Sequence, residues 1–261
     1  MATPREGSRV VWILAIAASA ALAILGAEID GLRGLHYVFK PLTTLLILAM
    51  ARRRTGGTGL YARWIGIGLV LSTAGDIFLM LPFDGFVFGL GSFLLAHLAY
   101  LWALRQRGGW WRVRWPVVVY AVVASCVLAR LWPGLPNELK LPVIVYVIAL
   151  AGMAAQAASV WREHPDTKTR VAAIGGAFFV ASDALLALDR FSAPIPLAST
   201  FVLATYWIAQ WCIARSVQVT GGGIRPATPV ADPTAPAIQP AAPASALPRR
   251  AAAARSPWSR S

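Results

Sequence analysis

Long apolar segments alternate along the chain with short stretches rich in Arg, Gly or Pro. A helix needs about 20 residues to cross a hydrocarbon core ~30 Å thick, and eight segments approach that length. The pattern therefore predicts an all-α protein, a polytopic bundle of eight transmembrane helices. The predicted spans are Val10–Gly26, Leu35–Ala51, Ala62–Leu81, Phe86–Leu104, Trp115–Leu131, Leu141–Trp161, Val171–Leu188 and Ile195–Ala214.

From Thr220 onward the chain is rich in Pro, Ala and Ser, and it ends in PRRAAAARSPWSRS. Such a composition lacks the apolar side chains that a packed core needs. The sequence thus predicts a transmembrane domain over residues 1–219 and a disordered Pro/Ala-rich cytoplasmic tail over residues 220–261.

Composition excludes an ordinary soluble domain, because 57% of the residues are hydrophobic and only 13% are charged. The net charge of +13 could suggest nucleic acid, but a nucleic-acid binder concentrates its basic residues on one folded face. Here they lie between apolar segments. We therefore predict lipid and the bilayer as partners, and no nucleic acid. Cys126 and Cys212 fall inside apolar segments, where they fit as small packing residues.

The basic residues also predict an orientation, because short cytoplasmic loops carry the excess of Lys and Arg. The loops on one side contain Arg33, Arg130, Lys140 and Arg190. The larger group on the other side contains Arg5, Arg9, Arg52, Arg53, Arg54, Arg63, Arg105, Arg107, Arg112, Arg114, Arg162, Lys168, Arg170 and Arg215. We predict a multi-pass protein of the cell membrane, in a bacterium the inner membrane, with both termini in the cytoplasm.

Two carboxyl groups are predicted inside the membrane, where a charged side chain costs roughly 2.5–3.5 kcal/mol on insertion scales. Asp76 lies in LVLSTAGDIFLML on the third span, and Asp183 lies in GGAFFVASDALLAL on the seventh. At a rise of about 1.5 Å per residue, both lie in the outer half of the membrane at one depth. Their side chains are therefore expected to face one polar interior.

Further polar residues fall at similar depths on three other spans. Lys40 precedes Pro41 on the second span, where its ammonium group could pair with one of the aspartates. His97 and Tyr100 share a helical face on the fourth span, and Tyr206 and Gln210 are four residues apart on the eighth. We predict that five helices contribute polar groups to one cavity.

These residues allow more than one interpretation. Asp76 and Asp183 could form a structural buried pair with Lys40, a proton or ion pathway, or a catalytic pair. Lys40 near its helix end could instead extend to the interface. His97, Tyr206 and Gln210 could serve as hydrogen bonds between helices.

A metal site formed by Asp76, Asp183 and His97 is conceivable, because nitrogen and oxygen ligands occur together in such sites. However, His97 is the one histidine within a predicted span that falls near these aspartates, and no HxxxH pair is present. We predict no metal and no cofactor. The sequence also shows no serine nucleophile elbow, phosphate-binding Gly loop or dinucleotide fingerprint.

Five stretches together resemble the lysoplasmalogenase family, also called YhhN-like. They are FKPLTTLLIL (39–48), STAGDIFLML (72–81), FVFGLGSFLLAHLAY (86–100), GGAFFVASDALLA (175–187) and TYWIAQ (205–210). The resemblance extends from the second span to the eighth. It implies hydrolysis of the alkenyl (vinyl) ether bond of a lysoplasmalogen to a fatty aldehyde and glycerophospho-ethanolamine or glycerophospho-choline. It also implies that Asp76 and Asp183 are the catalytic pair.

Two buried carboxyl groups suit this reaction, because a vinyl ether hydrolyses by protonation at its β-carbon followed by addition of water. One carboxyl group would act as acid and the other as base, and either aspartate could take either role. Lys40, His97, Tyr100, Tyr206 and Gln210 are then predicted to position water or bind the head group. The alternatives are a proton-coupled transporter of small molecules or lipid, and a lipid-binding membrane protein.

Overall fold

The computed structural model describes residues 4–55, 59–81 and 85–217, and within these ranges it contains α-helices, one short 3₁₀ turn (Trp132–Gly134) and no strand. The predicted tail over residues 220–261 lies outside the described residues. The helices are α1 Pro4–Glu28, α2 Arg33–Thr55, α3 Leu60–Phe78, α4 Phe86–Arg105, α5 Trp115–Leu131, α6 Asn137–Glu163, α7 Thr167–Phe191 and α8 Ala198–Arg215.

Consecutive helices form hairpins, with α1 against α2, α3 against α4, α5 against α6, and α7 against α8. Further contacts join α6 to α4 and α7, and join α8 to α1 and α2. Because the helices of a hairpin run in opposite directions, the starts of the even-numbered helices meet the ends of the odd-numbered helices at one end of the bundle. The predicted helical bundle and the order of its helices are confirmed.

Six of these helices are long and apolar enough to cross a membrane: α1, α2, α4, α5, α6 and α7. α3 and α8 do not meet that criterion, although at about 1.5 Å per residue their 19 and 18 residues nearly span a ~30 Å core. α3 buries Ser72, Thr73 and Asp76, and α8 buries Tyr206 and Gln210, so both helices place polar side chains inside the bundle.

The outer surface of the bundle is apolar. α5 is the clearest case, since Val118 is 62% exposed and Val122 is 57% exposed, while only Pro116 and Leu131 of this helix are buried. A helix that is apolar on its outward face is typical of a membrane span. Together with the six candidate spans, this surface identifies a multi-pass membrane protein.

The start of α7 is fixed by a capping box. The Oδ1 atom of Asp166 accepts hydrogen bonds from the backbone N–H groups of Lys168 (2.6 Å) and Thr169 (2.8 Å), and Thr169 Oγ1 accepts one from Asp166 N (3.1 Å). We expect Asp166→Ala to lower the free energy of unfolding by about 1 kcal/mol, because two helix N–H groups lose their acceptor. Thermal unfolding of the purified protein in detergent measures the loss.

This cap should also make stability depend on pH. Slight desolvation opposes ionisation of Asp166, but the hydrogen bonds from the backbone of Thr169 and Lys168 outweigh it and lower its pKa. A carboxyl group with a lowered folded-state pKa stabilises the protein above its unfolded pKa of about 3.9, and that contribution is lost as pH falls through the folded value. Asp166→Asn should keep the cap and remove this part of the pH dependence; an unchanged profile would contradict the assignment.

Candidate active site

A cavity of about 130 Å³ lies inside the bundle, toward the end where α2, α4, α6 and α8 begin. Most of its lining side chains are apolar, such as Leu90, Val123 and Leu150. The polar exceptions are Lys40, Asp76, Tyr120, Tyr146, Ser182, Asp183 and Tyr206. The structure therefore brings the two predicted aspartates to one cavity, together with Lys40 and Tyr206.

Asp76 is fully enclosed, with 1% of its side chain exposed, and it has three polar neighbours. Its Oδ2 atom accepts hydrogen bonds from the hydroxyl groups of Thr44 (2.8 Å) and Tyr206 (2.9 Å). Its Oδ1 atom lies 3.9 Å from Lys40 Nζ. The predicted pairing of Lys40 with an aspartate is thus present, and the pair consists of Lys40 and Asp76.

A chain of hydrogen bonds leads to Asp76 from behind the cavity wall. Tyr100 donates to Gln210 Oε1 (2.7 Å), Gln210 Nε2 donates to the Tyr206 hydroxyl (3.0 Å), and Tyr206 donates to Asp76. Tyr100 and Gln210 are buried and are not among the residues that line the cavity. This position favours a role in which Tyr100 and Gln210 orient Tyr206, rather than the predicted role of contacting substrate.

Asp183 has a different environment from Asp76. Its Oδ2 atom accepts a hydrogen bond of 2.5 Å from the Tyr146 hydroxyl and lies 4.0 Å from His97 Nε2. The side chain is 16% exposed. Within the described part of the chain, Asp183 forms no ion pair with a Lys or Arg. The two carboxyl groups therefore differ in their neighbours. Asp76 faces the amino group of Lys40 and two hydroxyl donors, whereas Asp183 faces one hydroxyl donor and the ring of His97.

His97 lies behind Asp183 and not in the cavity wall. Its ring packs edge-on against Tyr146 and Phe179, with centroid separations of 5.4 and 5.2 Å. It is 1% exposed, and neither ring nitrogen has a hydrogen-bond partner among the described residues. His97 is not among the residues that line the cavity, and its contact with substrate stays a prediction.

The described residues contain no group of three or more His, Cys, Asp or Glu side chains close enough to hold a metal ion. The conceivable set of Asp76, Asp183 and His97 does not converge. Only His97 and Asp183 approach each other, whereas the neighbours of Asp76 are Lys40, Thr44 and Tyr206.

Sequence reasoning missed two of the hydroxyl groups that donate to the aspartates, those of Thr44 and Tyr146. Thr44 follows Lys40 by four residues on α2, so the helical period places both on one face. Tyr146 lies five residues inside the predicted sixth span, and Asp183 lies five residues inside the facing end of the seventh. The two residues therefore lie at the same predicted depth in the membrane, and this agreement could have predicted the Tyr146–Asp183 hydrogen bond.

α3 packs closely against α4, and a substitution at this contact tests whether the packing stabilises the fold around the site. A Cβ atom at Gly68 would overlap the ring of Tyr100, which is fully buried. We expect Gly68→Ala to lower the free energy of unfolding by about 1–3 kcal/mol, because an overpacked core must shift. Gly66→Ala is the matched control on the same helix, since its Cβ atom would meet only Leu48 Cδ1 at 3.9 Å. Equal melting temperatures for the two variants would contradict this packing.

Comparison with known proteins identifies relatives in bacteria and animals. The lysoplasmalogenase of Mycobacterium bovis is 36% identical over 173 residues, which cover 64% of each chain. Lysoplasmalogenase TMEM86A of Homo sapiens is 35% identical over 162 residues, covering 58% of this chain and 64% of the human protein. The uncharacterized membrane protein YhhN of Escherichia coli is 25% identical over 212 residues, covering 80% of this chain and 99% of that protein.

The chain thus spans just under two thirds of the length of the named lysoplasmalogenases that it matches. No solved structure matches it. Residues 35–217, which run from the start of α2 to just beyond α8 and include every residue of the site, match the model of the YhhN family. The resemblance seen in the five sequence stretches is confirmed, and the chain belongs to the YhhN family.

Proposed function

We propose that this protein hydrolyses the alkenyl ether bond of a lysoplasmalogen, releasing a fatty aldehyde and glycerophospho-ethanolamine or glycerophospho-choline. The observation that carries the proposal is that Asp76 and Asp183 line one largely apolar cavity and have unequal neighbours. An apolar cavity with few polar groups suits the hydrocarbon end of a lipid. The names of the relatives from Mycobacterium bovis and Homo sapiens support the same reaction.

We assign the acid role to Asp183. It forms no ion pair with Lys or Arg within the described residues, and a buried carboxyl group without a cation is more stable with its proton. Tyr146 donates to Oδ2, which must therefore act as the accepting oxygen. The acidic proton then resides on Oδ1, and Asp183 delivers it to the β-carbon of the vinyl ether.

We assign the base role to Asp76. The ammonium group of Lys40 and the hydroxyl groups of Thr44 and Tyr206 stabilise its ionised form. A carboxylate there stabilises the oxocarbenium ion that forms when the β-carbon takes the proton. It then accepts a proton from the water that adds to the carbon next to oxygen. As the hemiacetal breaks, Asp76 returns its proton to the ether oxygen, which leaves as the glycerol hydroxyl group. Asp183 takes the proton of the hemiacetal hydroxyl group as the aldehyde forms, so both aspartates return to their starting states.

Lys40 has a second role in this proposal. Its ammonium group lines the cavity beside Asp76, so the phosphate of a lysophospholipid can approach a positive charge without displacing the aspartate. The ether bond would then lie between Lys40 and the apolar residues of α5, with the alkenyl chain toward Val123 and Val127.

The experiment compares three lysophospholipids that share a head group and differ only in the chain linkage: alkenyl ether, saturated alkyl ether and ester. Purified protein in detergent should release aldehyde from the alkenyl ether and should leave the alkyl ether intact, since that lipid has no double bond to protonate. The ester should yield no fatty acid. Absence of aldehyde from folded protein, or release of fatty acid at a similar rate, would contradict the proposal.

We also propose that the helices lie in the cell membrane with both termini in the cytoplasm. The distribution of Arg and Lys between the loops supports this orientation. Single cysteines placed in the loops after α4 and after α5, in a chain without Cys126 and Cys212, test it. A membrane-impermeant thiol reagent added outside intact cells should label only the cysteine in the loop after α5. Labelling of the cysteine in the loop after α4 would indicate the opposite orientation.

A further inference from the structure

A second cavity, a crevice of about 750 Å³, lies between the last half of α2 and the first half of α3. It is at the other end of the bundle from the site of Asp76 and Asp183. Its volume is in the range of ligand-binding pockets, about 300–1,000 Å³. Nothing in the reaction proposed above uses it.

One end of the crevice is strongly basic. Arg52, Arg53 and Arg63 line it, all three are exposed, and its lining contains no acidic residue. The Arg53 guanidinium group lies 4.8 Å from the ring centroid of Trp12, and the two form a cation–π contact. Guanidinium groups bind phosphate oxygens through paired N–H donors, so this end has the chemistry of an anion site.

The rest of the crevice is apolar and reaches the outer surface of the bundle. Ile67 is 43% exposed and Val70 is 47% exposed, and both line the crevice. Gly66 of α3 faces Leu48 of α2, and the missing side chain at this position leaves space between the two helices. A free anion would fill only the basic end, whereas a molecule with an anionic group and a hydrocarbon chain matches both parts.

We propose that this crevice binds an anionic phospholipid, with its phosphate at Arg52 and Arg63 and one acyl chain along Ile67 and Val70. Basic pockets between transmembrane helices are suited to such head groups. The bound lipid would join α2 to α3, the two helices that carry Lys40, Thr44 and Asp76. It should therefore stabilise the folded protein independently of any catalytic activity.

The test measures binding and thermal stability, not turnover. Wild-type protein in a neutral detergent is titrated with short-chain phosphatidylglycerol, with phosphatidylcholine of the same chains, and with inorganic phosphate. Bound lipid is counted by native mass spectrometry, and the melting temperature is followed in parallel. Two variants perturb the crevice in different ways: Arg52→Gln with Arg63→Gln removes charge, and Gly66→Leu fills the space.

The control variant is Arg114→Gln with Arg170→Gln, which removes the same charge from exposed positions at the same end of the bundle, outside the crevice. We expect phosphatidylglycerol to raise the melting temperature of the wild type and of the control. Both crevice variants should bind it at least tenfold more weakly and lose the shift.

Four outcomes would overturn the proposal. Equal stabilisation by phosphatidylcholine would mean that the charge has no role. Stabilisation by inorganic phosphate alone would indicate a simple anion site. An equal loss in the control and in the crevice variants, or no stabilisation of the wild type, would mean that the crevice is not the lipid site. None of these results depends on whether the protein releases aldehyde.

Discussion

Asp183→Asn should reduce aldehyde release from an alkenyl lysophospholipid by about 10²–10⁴-fold, the usual contribution of a general acid. The amide has nearly the same shape and can still accept the hydrogen bond from Tyr146, so the cavity should persist. It has no acidic proton to give to the β-carbon. Initial rates of aldehyde formation at saturating lipid measure the effect.

Asp189→Asn is the matched control on the same helix. Asp189 accepts a hydrogen bond of 2.8 Å from the backbone of Ile195 and does not line the cavity. We expect this variant to retain nearly normal turnover, because its amide oxygen can accept the same bond. Near-normal turnover in Asp183→Asn, or an equal loss in both variants, would exclude Asp183 as the proton donor.

Asp76→Asn should abolish turnover and also destabilise the protein, by about 3–5 kcal/mol. The amide keeps acceptors for Thr44 and Tyr206, but Lys40, with only 10% of its side chain exposed, loses the carboxylate that balances its charge. Unfolding in detergent measures the stability, and aldehyde release measures the turnover. A change in turnover without a change in stability would mean that Lys40 does not depend on Asp76.

The double variant Lys40→Met with Asp76→Asn separates these two effects. It removes both charges, so the folded protein should recover most of the stability that Asp76→Asn loses. Turnover should stay absent, because the base is still missing. Recovery of turnover together with stability would show that Asp76 acts only as a structural partner of Lys40, which is the first alternative that the sequence allowed.

The fold was predictable from the sequence because a span must be both long and apolar, and that signal survives without any alignment. The depth of each residue in the membrane was also predictable, since a helix rises by a fixed distance per residue. This is why Asp76 and Asp183 were expected at one level, and both do line the same cavity. The boundaries of some helices differ from the predicted ones. α3 ends at Phe78 instead of Leu81, and α8 begins at Ala198 instead of Ile195.

The rotation of each helix about its axis could not be predicted as well as its depth. His97 and Tyr100 share a face of α4 with Phe93, yet Phe93 lines the cavity while His97 and Tyr100 lie behind its wall. Side chains at spacings of three and four residues differ in direction by tens of degrees, and neighbouring helices decide which of them reaches the cavity. The sequence of one helix does not contain that information.

Two hydroxyl groups that contact the aspartates were not predicted from the sequence, for a different reason. Thr44 and Tyr146 donate directly to the two aspartates, but Thr and Tyr are common in membrane helices and carry no charge that would mark them. The difference between the two aspartates, on which the acid and base assignments rest, arises from these contacts and from Lys40. The sequence alone does not show this difference, because the contacts depend on how the helices pack together.

The most direct test of this account is the single-turnover rate of aldehyde release, measured with protein in excess over alkenyl lysophospholipid, for the wild type and for Asp183→Asn. Single-turnover conditions observe the chemical step without product release. The account predicts a wild-type rate that falls in D₂O, because a proton moves to carbon in the limiting step. It predicts a rate about 10²–10⁴-fold lower for Asp183→Asn. Equal single-turnover rates for the two proteins would contradict it.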